Sequence, residues 1–390
     1  MTKLPQPRRL AVALWAIGLT TWAAPSMADM QYKFSGFGTL GAVKTTTDDT
    51  EFRQSIQQYS GAGKKFDLGV DSRLAAQGSA IFSNGVTLTA QVLGARLGDE
   101  DFNMGFEWLY AQYTGIEGLD LKAGRVVLPA FLVSDSRLVG YALPWVRVPT
   151  LVYAMMPLSH VDGEQATYRH AIGSAIATVQ FTGGRATTLV RGTQTIGPVG
   201  AETLGDAKAS GIVGLNASLE WGDWTFRVSQ IKDKTELTQS FTYPAFVPFV
   251  GGTQRTDSLP FHDKFQEIGL QYDDGKIVVM AEQVKRSTKD EKVQVAKSWY
   301  LAGGYRFGPV MPYVLTSQYT ESFIIAPGTP APKAKGDAVG VRYDFATNLA
   351  LKAEFAQFKN NSLYVFTDSS TPGVADKRIK VMSVTLDFIF

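Results

Sequence analysis

From residue 31 onward the chain alternates apolar and polar positions in unusually long runs. Phe66, Leu68, Val70 and Leu74 share one parity, and Lys65, Asp67, Asp71 and Arg73 share the other. Val213, Leu215, Ala217, Leu219 and Trp221 oppose Asn216, Ser218 and Glu220, and Trp224, Phe226 and Val228 oppose Thr225, Arg227 and Ser229. The pattern returns at Trp299 to Phe307, Val339 to Phe345 and Leu349 to Phe355. A period of two marks a strand with two unlike faces. The runs last roughly 9–12 residues, the length a tilted strand needs to cross a bilayer, whereas strands in soluble proteins average about 5–6.

The connections alternate as well. Short turns stand at Ser83-Asn84-Gly85, Gly115 to Gly118, Gly222-Asp223, Asp273 to Gly275, Gly308-Pro309 and Ala346 to Asn348. Between them lie long segments at 43–63, 126–163, 232–263, 286–296, 320–335 and 359–377. Tight turns on one rim and long loops on the other describe an outer-membrane barrel. The arms predict strands at 31–42, 64–76, 86–97, 106–114, 119–125, 164–171, 174–182, 209–221, 224–231, 264–272, 276–285, 297–307, 310–319, 336–345, 349–358 and 378–390. That makes an all-β, antiparallel, 16-stranded transmembrane β-barrel, with the even strand number usual in bacteria. Thr187 to Thr195 is also strand-like; to keep the up-and-down parity it is read as an extension of the seventh strand or part of its loop. Outward aromatics at Trp221, Trp224, Tyr272, Phe307, Phe345 and Phe390 recur beside the short turns, as a membrane girdle would.

The first residues add a compartment. Lys3, Arg8 and Arg9 precede an apolar run from Leu10 to Ala24, and Ser26-Met27-Ala28 offers a small-x-small cleavage site. Residues 1–28 therefore read as a secretory signal peptide, and 29–390 as the barrel. The leader is too short for a spanning helix of about 20 residues. Composition agrees with export: there is no cysteine and there are 38 glycines. The chain carries 38 basic and 36 acidic side chains, and removing the leader's basic residues brings the two nearly level. With no basic excess, nucleic-acid binding is excluded as an expectation.

The last run places Met382, Val384, Leu386, Phe388 and Phe390 on one face. With its aromatic end, this run resembles the assembly signal of outer-membrane porins. The whole chain after residue 28 resembles the Gram-negative trimeric porin family. Gln31 to Gly41 is similar to that family's first strand. Ser72-Arg73-Leu74 through Gly78, then Ser83-Asn84-Gly85-Val86, resembles its second strand and first turn. Leu121-Lys122-Ala123-Gly124-Arg125 resembles the strand before the third loop, and Ala166-Thr167-Tyr168-Arg169 the strand after it. The resemblance implies a third loop, about Val126 to Gly163, folded into the barrel to narrow the pore. It also implies wall arginines at Arg73 and Arg169, with Arg125 at the loop's root. Parity independently turns Arg73 inward, where a charge avoids the roughly 2–4 kcal/mol cost of facing mid-bilayer lipid. The alternative for each arginine is a structurally paired lumen or rim residue.

The third loop departs from the general porins. Its candidate anions are Asp135 and Asp162, with Glu164 beside them, while Arg137 and Arg147 are basic and Leu143 to Val146 and Leu151 to Pro157 are largely apolar. The apolar part is either an anchor on the inner wall or a surface that touches solutes. Arg73, Arg125, Arg169, Asp135 and Asp162 are the candidate constriction, and Phe388 and Phe390 the candidate assembly signal. The expected partners are outer-membrane lipid, small hydrophilic solutes, two further copies in a homotrimer, and the barrel-assembly machinery during biogenesis.

No catalytic centre, cofactor or metal is expected. His160, His170 and His262 are not spaced as zinc ligands, and neighbours such as Ser159-His160 lack triad geometry. A barrel enzyme would need such groups to converge on one rim. The reading is an outer-membrane channel for passive diffusion of small polar solutes, with a lean toward anions. The second reading is a substrate-specific channel for organic acids or amphiphilic solutes, with its binding site in the third loop.

Overall fold

The computed structural model describes residues 30–48, 50–58, 60–97, 102–196, 199–243, 252–257, 260–288, 294–323, 333–360, 366–368 and 378–390. The segment read as a signal peptide lies outside the described residues. The first half of the barrel comprises β1 (Gln31–Thr45), β2 (Arg73–Ile81), β3 (Val86–Ala95), β4 (Asn103–Ile116), β5 (Leu119–Val127), β6 (His160–Ile172), β7 (Ala175–Ile196) and β8 (Val199–Trp221). The second half comprises β9 (Trp224–Tyr243), β10 (Phe261–Asp273), β11 (Ile277–Thr288), β12 (Gln294–Tyr305), β13 (Val310–Phe323), β14 (Lys333–Ala346), β15 (Leu349–Asn360) and β16 (Arg378–Ile389). A short segment, Gly252–Asp257, continues the β10 position along β9. Each strand pairs antiparallel with the next.

Closure comes from β1, which pairs with β2 on one side and β16 on the other. Phe37 lies opposite Ile389 and Thr39 opposite Asp387. Beyond β16, the Phe390 amide donates to the Gly36 carbonyl at 3.0 Å and the Gly36 amide donates back at 2.8 Å. Among the described residues each of the sixteen strands is thus paired on both sides, so the sheet has no open edge facing hydrocarbon.

The alternation resolves into two faces. Leu215, Leu219, Phe226 and Val228 are exposed on the outside. Inward positions pair polar groups across strands, as Gln91 with Gln77 at 2.9 Å and Asn216 with Gln180 at 2.7 Å. Aromatic pairs gather at the short-turn rim, among them Trp224 with Tyr272 at 4.7 Å and Tyr305 with Phe307 at 4.5 Å. The turns there are built locally. Gly85 holds φ +83° and Asn348 holds φ +63°, left-handed conformations that glycine and asparagine tolerate best. The Asp274 carboxylate accepts the amides of Ile277 at 2.6 Å and Lys276 at 2.8 Å, and these donors hold its pKa below the usual aspartate range.

One strand expectation changes and an open one is decided. The second strand runs from Arg73 to Ile81 and does not begin at residue 64. The Asp67 carboxylate takes the amides of Gly69 and Val70 and the Arg96 guanidinium, which bends the chain before the strand begins. Thr187 to Thr195 extends the seventh strand, one of the two readings its pattern allowed, and pairs with β8 as far as Ile196 opposite Val199.

Candidate pore constriction

The third loop leaves β5 after Val127 and rejoins the wall at His160. Between those points the chain turns into the barrel, with a short helix, α1 (Thr150–Tyr153), on the way back. Leu143, Trp145, Val146, Leu151 and Val152 are buried. Much of the loop's apolar part is thus a wall anchor, and sequence pattern alone had left that open.

Polar groups from the opposite wall seize the loop's backbone. Arg227 donates to Pro129 O at 2.7 Å, Ser229 to Ala130 O at 3.0 Å, and Ser298 to Leu151 O at 3.0 Å. Lys352 donates to Gly140 O at 2.6 Å, Leu143 O at 2.8 Å and Trp145 O at 3.1 Å, and Arg342 adds Tyr141 O and Leu143 O. A loop buried without such partners would strand its carbonyls, each at a cost comparable to a lost hydrogen bond. The loop's own Arg147 reaches across to Asp71 at 2.6 and 3.0 Å, Glu354 at 3.3 Å and Ser383 at 2.5 Å. Burial works against its charge, but Asp71 and Glu354 more than reverse that and raise its pKa above the ordinary arginine value.

Most of these attachments lie on β9 to β16. Through Leu138 and Val139, which pack against Ala75 and Leu93, the loop also meets the facing wall, β2 to β4. Between them lies a cavity of about 90 Å³, room for a few water molecules or part of a small solute. Arg73, Arg96, Leu93 and Glu107 line it from the wall side, and Arg137 and Leu138 from the loop. Arg73 is only 5% exposed, and its Nε and Nη2 have no hydrogen-bond partner. Arg147 already takes up the nearby Asp71. Toward the periplasmic rim a second opening of about 340 Å³ lies under the loop. Its arginines are neutralised: Arg306 pairs with Asp273 at 2.6 Å and Arg342 with Asp344 at 2.8 Å.

The five candidate constriction residues are not gathered in one place. Arg73 lies on the cavity. Asp135 is exposed on the loop, within electrostatic reach of Tyr110 on the wall. Arg169 shares inward parity with Gln165 and Thr167 but sits near the periplasmic rim, where its amide donates to Gly118 O in a short turn. Arg73 stands eight residues above the end of β2 and Arg169 three above the end of β6, a difference of roughly 16 Å along the strands.

Arg125 and Asp162 face out of the barrel. They are register partners, and the same row continues from Leu109 on β4 to Arg185 on β7. Leu109 is exposed with the outer surface, whereas Val126, the next residue after Arg125, is buried inside. Arg125 is bound to Asp162 at 2.6 and 2.9 Å. The match of local sequence placed Arg125 at the loop root, where it is, but one residue of parity decides the face. Arg96, Glu107 and Arg137, which line the cavity, were not among the expected constriction residues, and neither was Arg147, which pins the loop to the wall. Their approach depends on how the loop folds back, which no strand period encodes.

A sequence model described as Gram-negative porin matches residues 11–363. No curated protein sequence matches the chain. Among solved structures, the trimer form of OmpT from Vibrio cholerae superposes with TM-score 0.56 at 13% identity, over 93% of this chain and 100% of that one. An anion-selective porin from Comamonas acidovorans gives 0.55 at 14% identity, again over 93% and 100%. The outer-membrane channel DcaP of Acinetobacter baumannii gives 0.56 at 9% identity, over 94% and 99%. At such identities the likeness establishes the barrel fold.

Proposed function

The chain belongs to the Gram-negative porin family and is an outer-membrane channel, and we propose that it passes small polar solutes by passive diffusion with a preference for anions. The observation that carries the preference is Arg73, nearly buried on the cavity between loop and wall with two guanidinium nitrogens unsatisfied. The charge of that guanidinium attracts an anion entering the cavity and repels a cation. Selectivity belongs to the narrow point, because salt screens the balanced charges elsewhere beyond about 8–10 Å. The periplasmic opening, with its arginines paired, adds little.

A second reading is favoured by the apolar side of the same cavity. Leu93, Leu138 and Val148 stand beside Arg73 and Arg137, an arrangement suited to a carboxylate with an apolar body. In that case the channel selects organic acids and does not simply sieve.

A homotrimer in outer-membrane lipid, folded by the barrel-assembly machinery, completes the proposal. The outer face of β1 to β5 supports it. Small residues there, Gly78, Ala80, Ala90, Ala111 and Ala123, leave a groove of about 510 Å³ beside Phe34, which is 82% exposed. A second copy fills such a groove better than mobile acyl chains do.

The experiment is reversal potential in a salt gradient across a planar bilayer, followed by titration with organic acids and sugars. Anion-directed reversal supports the first reading, and saturable block by organic acids alone supports the second. Cation-directed reversal contradicts both.

A further inference from the structure

Beneath the first limb of the third loop two carboxylates meet with one arginine. Arg227 on β9 is in register with Gly269 on β10, and Gly269 with Glu282 on β11. Glu267 folds its carboxylate over Gly269; a Cβ on that glycine would lie 2.4 Å from Glu267 Oε1. The missing side chain opens a slot between Arg227 and Glu282, and Glu267 occupies it.

The two acids are served unequally. Glu282 accepts from Tyr153 Oη at 2.6 Å, Tyr300 Oη at 2.8 Å and the Leu132 amide at 2.9 Å. Glu267, 2% exposed, has no hydrogen-bond partner on either oxygen. The Arg227 Nε stands 3.6 Å away, and that guanidinium is engaged with Pro129 O. The adjacent Ser229 hydroxyl donates to Ala130 O. Tyr153 from the loop and Tyr300 from β12 bring no positive charge. Two ionised carboxylates would thus share one guanidinium in an enclosed space. An uncompensated buried charge is strongly disfavoured, and neighbouring carboxylates avoid it by keeping one proton.

We propose that Glu267 and Glu282 share a single proton under the root of the third loop, and that this proton latches the loop to the wall. Glu282, with three donors, is the ionised member, and Glu267 carries the proton. The same cluster supplies two of the loop's attachments, at Pro129 and Leu132. When alkaline solution takes the proton as water, the second negative charge repels Glu282 and competes for Arg227, and both attachments weaken. The docked loop is therefore favoured below the titration and released as pH rises through it.

The latch deepens the channel reading, and one arm of its test is independent of conduction. Infrared spectra of the whole protein at neutral pH are expected to show a protonated-carboxyl band that Glu267→Gln removes. In planar bilayers the wild-type channel is expected to pass from quiet to flickering, with higher conductance, as the bathing solution is titrated from acid to alkaline. Glu267→Gln, which keeps the neutral shape, stays quiet throughout, and heat-modifiable migration verifies its folding. Absence of the band in wild type, as when a cation neutralises the pair, overturns the shared proton. A variant that titrates like wild type, or a wild type flat across the range, overturns the latch. A barrel that shows the band but conducts no ions removes the channel reading and leaves the shared proton standing.

Discussion

The Lys352 ammonium lies 3.0 Å from the Asp387 carboxylate, and neither side chain is accessible to solvent. Asp387 also accepts from Thr39 at 2.6 Å and Thr385 at 3.2 Å, so it is fixed on the closure seam. The same ammonium donates to three carbonyls of the third loop. One lysine therefore ties the loop to the strand that closes the barrel. Lys352→Met takes the lysine from the buried Asp387 and one donor from each of three carbonyls. Of these, Leu143 O keeps Arg342 and Gly140 O keeps the Leu143 amide. The expected cost to the docked loop is about 3–5 kcal/mol. The barrel is expected to fold and migrate as before, while single-channel conductance rises and becomes noisy. Unchanged conductance would show that the loop's other attachments suffice.

Phe390 contributes the two backbone hydrogen bonds with Gly36 at the seam, and its ring lies within 6.3 Å of Phe388. Deleting it removes both bonds and the last aromatic of the girdle. Less heat-modifiable, folded protein is expected in outer-membrane fractions of cells. Equal yield from the truncated chain would argue against a role in assembly or closure.

Cleavage is expected between Ala28 and Asp29, from the Ser26-Met27-Ala28 pattern. Intact mass of protein isolated from outer membranes reads this directly. A chain retaining Met1 to Ala28 would refute the signal-peptide reading.

The wall was legible in the sequence because a period of two reports which side of a strand meets lipid. Leu215, Phe226 and Val228 face outward as their parity requires, and Arg73 faces inward. The constriction was only partly legible. Its far side is made by a loop with no repeat, and the partners of Arg147, namely Asp71, Glu354 and Ser383, lie as many as 236 residues away. Arg125 and Asp162 mark the opposite limit. Their neighbourhood in the chain was right, yet odd numbering on β5 belongs to the outer face. Asp67 shows a third limit, since a side chain that captures backbone amides can end an alternating run before it becomes a strand.

The central claim is that Arg73 at the cavity sets the preference for anions, with Arg169 near the rim a bystander. The most direct measurement is the reversal potential of Arg73→Ser and Arg169→Ser in the same salt gradient as wild type. Arg73→Ser is expected to move the potential toward cation preference and raise conductance, and Arg169→Ser to leave both close to wild type. An unchanged potential in Arg73→Ser, or an equal shift in Arg169→Ser, would contradict the account.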